Sequence, residues 1–108
     1  MLKTSEDVHQ AIAELRATIR FYQAESKWAA WRSALQDTIA LLDCLERRMQ
    51  AVGWPPAASG AFDDLKIGLY AIRNLEELDD GRLADRLCSL DYDLKHAWSG
   101  RAGPSPAA

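Results

Sequence analysis

Long apolar runs are missing from this chain. The longest, such as Ile39 to Leu42, fall far short of the ~20 residues a membrane-spanning helix needs. The opening stretch, MLKTSEDVHQ, holds no apolar core of the kind a secretory signal uses. A cytoplasmic protein without a membrane partner is therefore expected. Basic clusters are missing too: 13 Lys and Arg stand against 16 Asp and Glu, for a net charge of -3. With no stretch that gathers Lys and Arg on one face, nucleic acid has no electrostatic footprint to follow. Cysteine is scarce, and Cys44 and Cys88 each fall mid-helix with no second cysteine nearby. Two reduced, partly buried thiols are expected, since a bridge would require Cα atoms within about 7 Å. There is no Gly-x-Ser-x-Gly, no Cys beside a His, and no phosphate-cradling glycine loop, because Gly60 and Gly81 stand alone. Catalysis and a bound cofactor are not expected.

Helical periodicity is what the chain has in abundance. Trp28, Trp31, Leu35, Thr38, Leu42, Leu45, Met49 and Val52 recur at steps of three and four and make one stripe, broken in character only by Thr38. Read as one helix over 27–52, it would span roughly 39 Å at ~1.5 Å per residue. Gly53 and Pro55-Pro56 end it. Before it, Val8, Ile12, Leu15, Ile19 and Tyr22 mark a first helix over 5–24, capped by Thr4 with Asp7 at the capping-box position. The phase of the two stripes breaks near Ala24 to Ser26. No Gly or Pro marks the break, so a single kinked helix is the alternative.

Gly53 to Gly60, GWPPAASG, reads as a loop. Phe62, Leu65, Leu69, Ile72 and Leu75 then predict a third helix over 61–78, with Gly68 at a close helix crossing. Leu83, Leu87, Leu90 and Leu94 predict a fourth over 82–98, with Asp79 or Asp80 as its cap and Asp91–Lys95 as an i, i+4 pair. The fold class expected is all-α, a four-helix antiparallel bundle of up-down-up-down order. It forms a single domain over 1–98, followed by a flexible tail over 99–108. Trp98-Ser99-Gly100 resembles the Trp-x-Gly element of the secreted helical-hairpin family. It follows the last helix here instead of joining two, so nothing is carried over from that family.

Two constellations carry chemistry. Glu6-x-x-His9 and Asp93-x-x-His96 each put an acid and a histidine on one helix face, the spacing that di-metal carboxylate bundles use. Each His stands beside the apolar stripe and not on it, so solvated helix ends are the simpler reading. The second constellation is a surface. Up-down order brings Phe21, Tyr22, Trp28 and Trp31 to the same pole as Glu76, Glu77, Asp79, Asp80 and Asp85. Aromatics supply contact area and carboxylates steer a positive surface, which points to a small acidic protein-binding module. Its partner would be another protein, such as a basic toxin or enzyme, inhibited as an immunity protein or antitoxin inhibits its target. A homodimer or larger scaffolding bundle, closed through Trp28 and Trp31, is the alternative. In a third arrangement the same aromatics plug the end of the core.

Overall fold

Thr4 starts the first helix by reciprocal capping. Its Oγ1 accepts from the Asp7 N–H at 3.1 Å, and the Asp7 carboxylate accepts from the Thr4 N–H at 3.1 Å. The computed structural model describes residues 3–57 and 60–97; the expected last turn at Trp98 and the tail over 99–108 lie outside them. Among the described residues there are four α-helices and no strand: α1 (Ser5–Ala24), α2 (Arg32–Val52), α3 (Ile67–Asn74) and α4 (Arg82–His96). The all-helical fold class read from the sequence is the one observed.

The apolar stripes meet in one core. Val8, Ile12, Leu15 and Ile19 of α1 pack with Leu35, Leu42, Leu45 and Met49 of α2 and with Leu83, Leu87, Leu90 and Leu94 of α4. Thr38, the polar member of the α2 stripe, is fully buried and donates its hydroxyl to the Ala34 carbonyl at 2.7 Å. Polar pairs along the edges show the sense of the helices. Arg16 meets Asp43 while Gln23 meets Gln36, so α1 and α2 run oppositely. Arg48 with Asp64 and Asp37 with Tyr70 relate α2 to the α3 segment in the same way.

Three expectations are corrected. The helix expected over 27–52 begins late: Glu25 is extended at φ -103, ψ 128, and Ser26–Trp31 form a tight 3-10 turn ahead of α2. The chain must reverse there, and the tighter winding does so while laying Trp28 and Trp31 over the end of the core. This also settles the kinked-helix alternative, because α1 and α2 are separate. The helix expected over 61–78 is split. A short turn, Asp63–Leu65, is followed by Lys66 in the left-handed region at φ 52, ψ 43, and α3 starts only at Ile67. Arg48 holds the split in place, with its guanidinium forked on Asp64 at 2.7 and 2.8 Å and also donating to the Ala61 carbonyl at 2.6 Å. The reset phase buries Ile67, Gly68 and Ala71 and turns Leu69 and Ile72 outward.

The third correction concerns the cap of α4. Neither Asp79 nor Asp80 caps it; Gly81 occupies the cap position and no side chain bonds there. Gly68 does mark a close crossing. A Cβ at this position would lie 2.9 Å from Asp91 Oδ2 and 3.2 Å from Asp91 Cβ, so any larger residue must push Asp91 aside for α3 to rest on α4.

Candidate functional site

The end of α1 places Phe21 and Tyr22, and the 3-10 turn places Trp28 and Trp31. The four rings form an edge-on chain. Phe21–Tyr22, Tyr22–Trp28 and Trp28–Trp31 centroids lie 5.8, 5.6 and 5.9 Å apart, at steep interplanar angles of 66°, 84° and 65°. Exposure divides them. Tyr22 is only 4% exposed and belongs to the core, Trp28 and Trp31 are half-buried against it, and Phe21 is 60% exposed. The aromatics thus plug the bundle end and also leave one ring outside. Lys27 sets its ammonium 4.9 Å above the Trp28 ring, a cation–π contact that periodicity did not flag.

The acidic half of the pole is the link from α3 to α4. Asp79 (φ 49, ψ 50), Asp80 (φ 55, ψ 29) and Gly81 (φ 77, ψ 11) are three successive left-handed residues. Glycine takes this region freely and Asp tolerates it, at about 1–2 kcal/mol for an ordinary side chain. Two bonds hold the turn. The Arg82 N–H donates to the Asp79 carbonyl, and the Tyr22 hydroxyl donates to Asp79 Oδ2 at 2.7 Å. Burial, with the Asp79 carboxylate alongside, pushes the Tyr22 phenol up to about 12. Tyr22 therefore stays neutral as a donor, and Asp79 is fastened inward while Glu76, Glu77 and Asp80 stay exposed.

The residues expected at this pole separate into three groups. Tyr22, Trp28, Trp31 and Asp79 form its floor, and Phe21, Glu76, Glu77 and Asp80 are its exposed groups. Asp85 stands exposed in the first turn of α4, where its charge adds to that of Asp91 on the Cys88 thiol, which burial already pushes up. Arg82 and Arg86 lie near enough to Tyr22 to favour its ionised form slightly. The acidic character is thus concentrated in the α3–α4 link.

The histidine pairs have other partners. His9 Nδ1 lies 3.2 Å from Glu46 Oε2, and Glu46 also accepts from Arg16 at 2.6 Å. That guanidinium holds the Glu46 carboxyl below its usual range. His96 Nδ1 lies 2.8 Å from the Tyr92 carbonyl, and its ring stacks on Tyr92 at 4.1 Å. Among the described residues no three His, Cys, Asp or Glu side chains converge where they could hold a metal ion, so Glu6, His9, Asp93 and His96 form no such centre there. Cys44 and Cys88 are both free thiols. Among the described residues no helix is long and apolar enough to cross a membrane. Comparison with protein-family models, with curated proteins and with solved structures finds no match for this chain.

Proposed function

We propose that the chain is a small acidic protein-binding module that acts by docking and has no catalysis of its own. Its working face is the turn Glu76 to Asp80 together with Phe21. The observation that carries this reading is the fixed geometry of the turn: three left-handed residues, with Asp79 bonded to a buried tyrosine at 2.7 Å. A surface already held in one shape loses little entropy when a partner arrives. Strained backbone of this kind persists only where the surroundings hold it, and it concentrates at functional turns. The exposed carboxylates would steer a basic surface into place, and Phe21 would supply apolar area beside them. The partner class that fits is a basic protein, such as a toxin or enzyme whose positive active site the acidic turn covers. In that role the module is an inhibitor of the immunity-protein or antitoxin kind, and its location is the cytoplasm.

The test is capture from a lysate at low salt, with wild-type protein and a Glu76→Lys, Glu77→Lys, Asp80→Lys variant immobilised side by side. Asp79 is left intact because it holds the turn. A partner retained by the wild type, released by salt and lost by the variant supports the proposal. Retention that is equal on both columns contradicts it, as does a partner that binds regardless of salt.

A further inference from the structure

One cation already sits on the aromatic floor of the pole. Lys27 is exposed, and its ammonium lies over the Trp28 ring at 4.9 Å from the centroid. Trp28 meets Tyr22 and Trp31 at interplanar angles of 84° and 65°, so neither neighbour stacks flat upon it. A buried indole N–H usually finds a hydrogen bond, yet that of Trp28 has no partner among the described residues. Trp28 therefore presents a π face to its surroundings and no donor.

That cation and the acidic turn belong to one chain of contacts. Lys27 covers Trp28, Trp28 meets Tyr22 at 5.6 Å between centroids, and the Tyr22 hydroxyl holds Asp79 at 2.7 Å. A positive group on Trp28 thus stands two rings away from the turn that carries Glu76, Glu77 and Asp80. Arg82 and Arg86 lie near the same tyrosine, but Arg86 donates to the Thr18 hydroxyl at 2.7 Å and Arg82 opens α4. Of the three cations, only Lys27 lies over a ring.

We infer that the Trp28 face is the anchor site for an arginine of the basic partner, and that Lys27 is its built-in occupant. The inference rests on the docking role proposed above and names the side chain that this role recognises. The incoming arginine displaces Lys27, stacks on Trp28 and lies beside the carboxylates of the turn. Arginine is the cation that fits. Its planar guanidinium spreads over an indole and is more weakly hydrated than an ammonium, so it can outcompete a tethered lysine. A lysine arriving from outside gains nothing by the exchange. Lys27 thereby selects against partners that are merely basic.

Proton NMR of the full chain, titrated with acetyl-triarginine amide, tests this. In the free protein the Lys27 ε-methylene protons should lie upfield of their ordinary position, shifted by the Trp28 ring. The peptide should return them to that position while its own arginine δ-methylene protons move upfield. The uncharged citrulline analogue should do neither. Lys27→Gln empties the ring face and should tighten peptide binding about two- to fivefold, the range that an exposed cation–π contact corresponds to. Lys27→Arg should bind no tighter than the wild type.

Lys27 protons without a ring shift before peptide is added overturn the inference, as does a peptide that fails to bind. Binding that leaves the Lys27 protons in place overturns it too. If that binding is lost in the Glu76→Lys, Glu77→Lys, Asp80→Lys variant, the acidic turn keeps its docking role without the Trp28 anchor. Failure of the docking role itself shows separately, as a lysate partner retained equally by the wild type and the triple variant.

Discussion

The α1–α2 hairpin and the α3–α4 hairpin solve the same packing problem in different ways. The first is built from two long helices of 20 and 21 residues whose buried stripes run their full length, with Thr38 the one polar member. Its polar edge is a ladder in which Arg16 bridges Asp43 and Glu46, His9 shares Glu46, and Gln23 meets Gln36. The second has an eight-residue helix, a glycine crossing at Gly68, and left-handed backbone at Lys66, Asp79, Asp80 and Gly81. The regular half leaves only Phe21 and Val52 exposed among its described large hydrophobics, each near the end of its helix. The irregular half presents Leu69, Ile72 and Tyr92 to solvent and carries the acidic turn. Regularity here provides the frame, and the departures from it produce the surfaces a partner could use.

The contrast can be broken most forcefully through α3. Leu75 is fully buried and Leu69 is 42% exposed, although one continuous helix would place both inward. Leu75→Ala should destabilise the protein by about 3 kcal/mol, whereas Leu69→Ala should change stability by less than about 0.5 kcal/mol. Urea denaturation of the two variants checks this. Equal losses would restore the continuous helix over 61–78.

Next in size is the crossing itself. Gly68→Val forces a branched side chain against Asp91, where even a Cβ has 2.9 Å, so a loss of about 2 kcal/mol is expected from overpacking. The α1–α2 hairpin has no such point, and Ala13→Val on the exposed side of α1 should stay within about 0.5 kcal/mol. Thermal unfolding followed by circular dichroism reads both.

A smaller effect belongs to one of the bonds that join the two halves. Tyr22→Phe removes the hydroxyl from Asp79 and should lower stability by about 1–2 kcal/mol at neutral pH. The sign of the pH dependence follows from the raised phenol. Its folded value of about 12 exceeds the ordinary 10.0, so the neutral form is favoured by folding. Its contribution is complete below pH 10 and is lost as pH climbs through about 12. Titration of the tyrosinate absorbance should show late ionisation of both Tyr22 and Tyr70, whose phenol burial also pushes up to about 12, and Tyr22→Phe should remove one of these two late ionisations.

The smallest effect falls on the ladder of the regular half. Glu46 is held below its usual range by Arg16, so its contribution is present above the ordinary glutamate range and fades as pH falls below it. Glu46→Gln should cost about 0.5–1 kcal/mol at neutral pH, discounted for partial exposure. That difference should vanish in acid when wild type and variant are compared by urea denaturation at each pH.

Much of the regular half was legible as pattern. The bounds of α1, the Thr4–Asp7 box, the stop at Gly53 and the inward Thr38 all follow from spacing and local hydrogen bonding. Gly68 at a crossing and the Asp91–Lys95 pair were legible for the same reason. Lys66 was not, because nothing local distinguishes a left-handed lysine; its conformation is imposed by the Arg48 clamp from α2. That one residue hid the Leu69–Ile72–Tyr92 face by shifting the phase of α3. Asp79-Asp80-Gly81 did carry a signal, since Asp and Gly are the residues that tolerate left-handed backbone. Read as a cap for α4, they concealed the turn that Tyr22 fastens. At the pole, the gathering of Tyr22, Trp28 and Trp31 could be read from topology. Their partition between buried floor and exposed Phe21 depends on the 3-10 reversal at Ser26–Trp31, which no Gly or Pro announces.

The central claim is that the acidic turn is held in one shape before any partner binds. Amide hydrogen exchange at Arg82, whose N–H donates to the Asp79 carbonyl, tests it most directly. The account predicts that this amide is protected in the wild type and loses much of its protection in Tyr22→Phe, while the amides of α1 and α2 change little. Rapid exchange at Arg82 in the wild type, or protection that is indifferent to the tyrosine hydroxyl, would contradict it.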